Sequence, residues 1–489
     1  MPSTSAASTS QQKLPDYTRF LSAIVKLRPD SPIRALFPAE AIPGMLSLLA
    51  GKPNASTFPF ESVSLQLKPA PGSSQGEKLV IQGEDLNSAL QYGNTSGIPR
   101  FNKTLVDIQS SVHRRPIVYS TQTNAAGEEI KVPDWAISLG VGSQDLLSKT
   151  LECLLNPGDS VLVEDPVYAG VLPCMVSLQA NVVPVASDDQ GVTPQRLRQI
   201  LSQWSTDPAT SSKPFPKCLY TTPTGANPSG TSASEERKRQ ILSVVREFDI
   251  LLLEDDAYFY LNFQGLGEDA VTRTRQKSYF HLDAEDTSKH ASGRVLRFDS
   301  FSKILSGGMR LGFMTAHPTF ISAVDKTTSS SNLQTPGLTQ AVVLSILEHW
   351  GLHGFLQHCD RVATFYKERR DVFEGTAQRI IGTNGGKQTA IAKWVTPTAG
   401  MFLWLKLRLP PSTEGADDEG DSYPVIFEKA KKAGVLAVPG VAFMAGGKTT
   451  CYVRTSFSIV DEADFEEAFR RLRGVVEQAW TERGLSLPA

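Results

Sequence analysis

The sequence lacks most features that mark specialised classes of protein. Its 489 residues include only five cysteines, Cys153, Cys174, Cys218, Cys359 and Cys451. An odd number with no CxxC pair argues against a disulfide framework or a structural zinc site and points to a reducing compartment. No apolar run is long enough to span a bilayer, and neither MPSTSAASTSQQ at the start nor LSLPA at the end reads as a leader, prenylation box or anchor. Forty-nine Lys and Arg against 51 Asp and Glu leave a formal charge of −2, which gives no basic footprint for nucleic acid. There is no HExxH. His349 and His353 have i,i+4 spacing but flank Gly351, so they read as helix-end residues and no metal is expected. These absences leave a cytoplasmic protein without membrane or nucleic-acid partners as the expectation.

What is present is a globular composition, 40% hydrophobic and 20% charged, in a chain longer than one core usually fills. From Trp135 onward short apolar runs alternate with helical stretches: WAISLG, SQDLLSKTLECLLN, SVLVE, CLYTTP at 218–223, an amphipathic stretch at 233–248, ILLLED at 250–255, VLRFDS at 295–300 and RLGFMTA at 310–316. That rhythm predicts an α/β fold with a mainly parallel sheet flanked by helices. After about residue 335 helical patterns dominate, LTQAVVLSILEHW and then Leu356 to Arg379, followed by the strand pattern WVTPTAGMFLWLKL and a closing helix from Asp461, which predicts a smaller α+β domain. The expected division is a disordered tail at 1–15, an arm and insert at 16–87, a large domain at 88–335 and a small domain at 336–489. Polar stretches at 68–78, 264–293 and 410–424 read as solvated inserts.

Several strand ends carry chemistry. In Asp299-Ser300-Phe301-Ser302-Lys303, with Arg310 seven residues further on, a desolvated lysine near other cations loses its proton readily and can form a Schiff base with an aldehyde. The two serines and the arginine suit a phosphate; the plain alternative is a surface lysine in a Gly/Ser turn. SxxK also marks serine β-lactamases, but their Ser-Asp-Asn and Lys-Thr-Gly boxes are absent, and the GxSxG match at 72–76 lies in a Pro/Gly-rich insert. Gly140-Val-Gly142-Ser143-Gln144 leads from a strand into a helix, an arrangement that presents N–H groups to an anion, though Asp145 replaces the third glycine of a dinucleotide fingerprint and no GxxxxGK[ST] loop exists.

ILLLEDDAY ends a buried strand in Asp255, with Tyr258 three residues on, and a carboxylate there can hold a pyridine nitrogen protonated or merely solvate the strand end. Asn227 precedes a proline and is aimed by its backbone, or is simply part of a turn. Arg454 lies inside an apolar strand, where an unpaired charge is costly, so a substrate carboxylate or a structural Asp or Glu must meet it.

In this order the segments resemble the class I pyridoxal-phosphate aminotransferases of the kynurenine/2-aminoadipate and fungal aromatic amino-acid branch, over roughly residues 16 to 485. DSFSKILSGGMRLGF, NPSG followed by EDDAY, PTAGMFLW at 397–404 and DYTRFLSAIVKLRPDSPIRAL leading to AGKPNASTFPF carry the resemblance. It implies that Lys303 holds pyridoxal 5'-phosphate as a Schiff base, that Asp255 pairs with the pyridine nitrogen, and that Tyr258 and Asn227 hold the phenolic oxygen. Tyr168 stacks on the ring in this scheme. Ser143, Gln144, Ser300, Ser302 and Arg310 bind the phosphate, and Tyr92 reaches the phosphate of a neighbouring subunit, which makes the protein a homodimer with shared sites. Arg454 takes the substrate α-carboxylate, while Gly51 and Arg34 line or cover the substrate pocket. The branch usually has Pro where Ala257 stands and Gly-Gly-Leu-Pro in place of Ala50-Gly51-Lys52-Pro53.

The activity so implied is transfer of an amino group from an aromatic L-amino acid, or from kynurenine or 2-aminoadipate, to a 2-oxo acid such as 2-oxoglutarate. A C–S lyase, decarboxylase or racemase of the same fold shares the boxes around Lys303, and a non-catalytic sensor shares the fold but here has too few residues before the match for a DNA-binding domain.

Overall fold

The structure, a computed structural model, describes residues 16–49, 51–69, 72–123, 127–285, 292–382, 389–411 and 419–487. The expected tail at 1–15 and Ala50 lie outside the described residues. Two antiparallel hairpins precede the main sheet: β1 (Ser62–Gln66) with β2 (Lys78–Gln82), and β3 (Tyr119–Thr123) with β4 (Glu129–Pro133). The main sheet consists of β5 (Ala136–Gly140), β6 (Ser160–Asp165), β7 (Asn181–Asp188), β8 (Gly191–Val192), β9 (Cys218–Thr221), β10 (Leu251–Asp255), β11 (Val295–Ser300) and β12 (Gly312–Ala316). Its order is β5-β12-β11-β10-β9-β6-β7-β8. The run β11-β10-β9-β6-β7 is parallel, while β12 runs antiparallel to both its neighbours and β8 to β7.

These strands are apolar almost throughout because both faces are covered. Leu252, Leu219 and Leu162 enter one core, with Leu105 and Ile241 from the helices Pro99–Val112 and Glu235–Glu247. Their neighbours Leu251, Leu253, Cys218, Tyr220, Val161 and Val163 enter the other, with Leu147 and Phe320 from the helices Ser143–Leu154 and Pro318–Ser331. Each such apolar side chain contributes roughly 1.5–3 kcal/mol by burial. Period-two alternation therefore also decides which way the polar residues at the strand ends face. The chain's beginning joins the second core through Tyr17, Phe20 and Val25.

The small sheet, β13 (Ala392–Lys393), β14 (Phe402–Leu407), β15 (Val438–Pro439) and β16 (Tyr452–Ser456), is antiparallel in the order β13-β14-β16-β15. Leu403, Leu405 and Val453 pack with Phe469 and Val476 of the helix Phe465–Glu482 in a third core. The long helix Gly337–Ile380 breaks at Gly351, which adopts φ 59°, a conformation glycine accepts without strain. Its buried apolar residues from Val343 to Ala363 belong to the large core, that of Leu252 and Leu219, and Phe373 and Ala377 to the small one, with Tyr366 touching both, so the two cores hand over within this helix.

One expectation about the inserts is corrected. Much of 264–293 is packed: Tyr279, Phe280 and Leu282 join the large core, and Arg273, buried, donates to the carbonyls of Asn262 and Gln264 and pairs with Asp360. Arg273 and Arg275 find a partner in Asp360 that lies far along the chain, so their charge misled a local reading. Among the described residues no helix is long and apolar enough to cross a membrane, and none of the five cysteines forms a disulfide.

Candidate active site

Most of the residues singled out from sequence converge at the carboxyl ends of β5, β6, β9, β10 and β11, the side of an α/β sheet where loops leave the strands and ligands bind. Strand β12, being antiparallel, begins at this same end: Gly312 pairs with both Gly140 and Ser300. That register brings Arg310 beside the entrance of the helix Ser143–Leu154. Gly312 has to be glycine, since a Cβ there would lie 2.6 Å from the Ser143 nitrogen and 2.8 Å from the Asp299 carbonyl oxygen.

Lys303 closes the short turn Phe301–Lys303 that follows β11, and the Ser300 hydroxyl caps that turn by accepting from the Ser302 N–H at 3.2 Å. Its Nζ stands 5.8 Å from the centroid of the Tyr258 ring. Burial, then the charges of Arg310 and Arg454, push the Lys303 amine below its ordinary range, while Asp255 acts in the opposite sense. The site therefore makes the amine easier to deprotonate, which is the direction a nucleophile needs.

Asp255, at the end of β10, is buried on the face of Leu251 and Leu253 and accepts a hydrogen bond from the Tyr220 hydroxyl at 2.7 Å on Oδ2. Its Oδ1 has no hydrogen-bond partner. Burial pushes this carboxyl up to about 6. The next residues in alternation face the other way: Glu254 and Asp256 meet Arg297, which also forks onto Asp299 through Nε and Nη2 at 2.9 and 2.8 Å. Glu164, buried on β6 beside β9, accepts from Thr221 Oγ1 and the Thr222 N–H, both at 2.9 Å, and burial pushes it up to about 7.

On β16, Arg454 lies on the face of the small sheet opposite its core, toward Asn227. Its guanidinium lies 4.4 Å from the Phe402 ring centroid and 5.1 Å from that of Phe443. Nη1 donates to Asn227 Oδ1 at 2.8 Å, and Nε has no partner. Among the described residues no carboxylate pairs with it, and burial pushes it below its ordinary range. Of the two partners expected for this charge, the structural Asp or Glu is thus not there. Phe402 also meets the Tyr258 ring edge-on at 6.0 Å, so Arg454 and Lys303 are linked through two successive aromatic rings.

The turn at Gly142 and Arg310 have the features that suit an anion. Gly142, φ 84°, precedes the helix Ser143–Leu154, and no side chain caps the helix, which leaves first-turn N–H groups to an incoming acceptor. A Cβ at Gly142 would lie 2.4 Å from Arg310 Nη2. Arg310 donates to Ser302 Oγ at 3.3 Å and to the Gly307 and Val141 carbonyls at 3.1 Å. Gln144 donates to the Gly170 carbonyl at 2.8 Å, and that turn carries Tyr168, half-buried and within reach of the charges of Asp255, Arg454 and Arg310.

Lys303, Asp255, Tyr258, Asn227, Arg454, Tyr168, Ser143, Gln144, Ser300, Ser302 and Arg310 are thus brought together. Tyr92, exposed, and Gly51, with nothing within 4 Å of an added Cβ, are not. Arg34 begins a short helical segment, Arg34–Ala41, and its side chain lies outside the described residues. Lys52 pairs with Glu40 and lies 4.4 Å from the Phe37 ring. His349 and His353 face Glu77 and Asp269 as separate surface pairs. Sequence reasoning missed Tyr220, Arg297, Phe402 and Phe443. The first was detectable from alternation in CLYT, which puts Tyr220 on the face of Asp255 once β9 and β10 are paired.

Comparison with known proteins agrees with this geometry. Residues 78–472 match the family described as Aminotransferase class I and II. The chain is 43% identical to the aminotransferase tdiD of Emericella nidulans over 94% of this chain and 95% of that one. It is 34% identical to the mitochondrial kynurenine/alpha-aminoadipate aminotransferase of Mus musculus over 95% of this chain and all of that one. Among solved structures, the aminotransferase Aro8 from Candida albicans superposes with a TM-score of 0.77 at 25% identity, covering 95% of this chain and 98% of the other. On its fold, its strand-end residues and these likenesses, the chain belongs to the class I and II aminotransferases.

Proposed function

We propose that this aminotransferase uses pyridoxal 5'-phosphate to move an amino group from an aromatic L-amino acid, such as tryptophan, tyrosine, phenylalanine or kynurenine, to a 2-oxo acid such as 2-oxoglutarate. The observation that carries the reading is Arg454: a half-buried cation with no carboxylate partner among the described residues, set against the Phe402 and Phe443 rings, with its buried Nε unpartnered.

The residues present fit the cofactor. The orphaned Asp255 Oδ1 suits a protonated ring nitrogen, and the uncapped helix end at Ser143 with Arg310 suits a phosphate. Lys303 holds the cofactor, Tyr258 and Asn227 its phenolic oxygen and Tyr168 its ring face, while Ser143, Gln144, Ser300, Ser302 and Arg310 hold the phosphate. When bound, the cofactor supplies an electron sink for the pair left when the substrate's Cα loses its proton.

Arg454 grips the α-carboxylate of donor and acceptor in turn by charge-assisted hydrogen bonds, which forces one pocket to serve both. Lys303 Nζ, whose hold on a proton burial and two cations weaken, takes the proton from Cα in one half-reaction and returns one there in the other. Phe402 and Phe443, flanking Arg454, favour an aromatic side chain close to the carboxylate clamp, and the murine relative is named for kynurenine, itself an aromatic amino acid.

The exposed Tyr92 supports a homodimer in which it completes the partner's phosphate site, with Gly51 and Arg34 of the arm closing over substrate. Arm 16–87, large domain 88–335 and small domain 336–489 are the proposed divisions, joined by the long helix, and five unpaired thiols support the cytoplasm as compartment. The test is reduction of the loaded protein with borohydride followed by peptide mapping, alongside two-substrate kinetics. The reading expects the cofactor on Lys303 and the parallel lines of a ping-pong scheme; attachment elsewhere, or intersecting lines, contradicts it.

A further inference from the structure

The pair formed by Tyr220 and Asp255 goes a step beyond the family's strand-end residues. Tyr220 lies on β9, fully buried, with its hydroxyl 2.7 Å from Asp255 Oδ2. Strand register fixes the pair: Leu253 stands opposite Tyr220 and Glu254 opposite Thr221, so the phenol leans along the sheet to the carboxylate that ends β10. The other carboxylate oxygen has no partner. One oxygen is thus held by the protein and one is left for a ligand, and the carboxylate cannot rotate without breaking a buried bond.

Resting on the reading of the site given above, we infer that Tyr220 is a positioning residue that keeps Asp255 ionised and aimed at the cofactor's ring nitrogen.

The balance around Asp255 explains why a donor is needed there. Burial and the like charges of Asp256 and Asp299 press it toward the neutral acid, while Tyr220 and Arg297 oppose them. Arg297 already has all three guanidinium nitrogens engaged by Asp256 and Asp299, which leaves the Tyr220 hydroxyl as the contact made to Asp255 itself. With the cofactor bound, one proton would be shared between the carboxylate and the ring nitrogen. Removing the donor strengthens the carboxylate's hold on that proton and leaves the ring less cationic.

The experiment compares wild type, Y220F, D255N and D255N/Y220F as full-length proteins, loaded with pyridoxal 5'-phosphate labelled with nitrogen-15 in the ring. Ring protonation is read by NMR, cofactor affinity by titration of the apoproteins, and folding by circular dichroism. Wild type should show a protonated ring nitrogen throughout neutral pH. Y220F should fold, lose ring protonation and bind the cofactor about tenfold or more weakly, the scale of one hydrogen bond to a charged group. In the D255N background Y220F should change neither readout, since the carboxylate it serves is gone.

If Y220F folds only when D255N accompanies it, stability gives the same answer. Full ring protonation in Y220F overturns the inference while leaving the site reading intact, as does a chain that folds in neither background. Failure of wild type to bind the cofactor or to protonate its ring overturns the site reading and this inference with it.

Discussion

Arg297 and Arg454 are both arginines set in apolar strands, and they meet opposite surroundings. Arg297 has each of its guanidinium nitrogens bonded to a carboxylate, with Asp299, Asp256 and Glu254 around it and the Phe259 ring 4.8 Å away. Arg454 has one amide oxygen, two rings and an unpartnered Nε. A buried charge that the chain satisfies by itself belongs to the scaffold. One that the chain leaves unsatisfied carries a standing cost that a bound anion relieves.

The same contrast separates neighbours on β10: Glu254 is held by the N–H groups of Tyr279 and Phe280 and by Arg297, whereas Asp255 keeps one oxygen free. Alternation along a strand puts scaffold and site back to back, one residue apart.

The largest expected effect lies at Lys303. Lys303→Ala should lower transamination by roughly 10⁴-fold, the upper end of what a positioned proton-transfer group supplies, with the melting temperature unchanged. Next, Arg297→Met should destabilise the fold by about 3–5 kcal/mol, because three carboxylates lose their counter-charge, and denaturant unfolding would register it. Arg454→Leu should do the reverse. Stability holds, while kcat/KM falls about 10- to 100-fold for donor and acceptor alike, as expected for loss of charge-assisted hydrogen bonds. If Arg454→Leu unfolds the protein and Arg297→Met spares it, the contrast collapses.

The pH dependence sharpens the comparison further. Asp255 is raised by burial from its ordinary 3.8 to about 6, so in the apoprotein its stabilising contribution is full below pH 3.8 and is lost as pH rises through about 6. Asp255→Asn cannot ionise, and between those values the melting temperature of the apo variant should gain on that of wild type. Loading the cofactor, whose ring nitrogen pairs with the ionised carboxylate, should shrink that gap. The smallest effect is expected at Ser302, whose hydroxyl meets Arg310 at 3.3 Å: Ser302→Ala should cost about 1 kcal/mol of cofactor affinity, measured by titration.

Much of this was legible in the sequence because it is local. The Lys303 box is contiguous, and both the strand before it and the helix after Gly142 announce themselves by periodicity. VLRFDS at 295–300 has the bounds of the observed strand. What escaped depends on pairing. Tyr220 and Asp255 lie 35 residues apart and meet only once β9 and β10 are side by side. Arg297 looked like an ordinary strand residue until Asp256 came to it across the sheet. The insert at 264–293 read as solvated because its charges are plain in the sequence and their partner, Asp360, is on a distant helix. The strands Tyr119–Thr123 and Glu129–Pro133 escape a sequence reading because most of their residues are exposed and YSTQT has no apolar run.

The most direct test of the account is a single turnover. Cofactor-loaded protein is mixed with tryptophan, tyrosine, phenylalanine, kynurenine or 2-aminoadipate in the absence of any keto acid, and the absorption band of the bound cofactor is followed. The account predicts conversion to the aminated cofactor with release of the matching 2-oxo acid, fastest for aromatic donors. A band that persists, or the appearance of pyruvate or carbon dioxide, would contradict it.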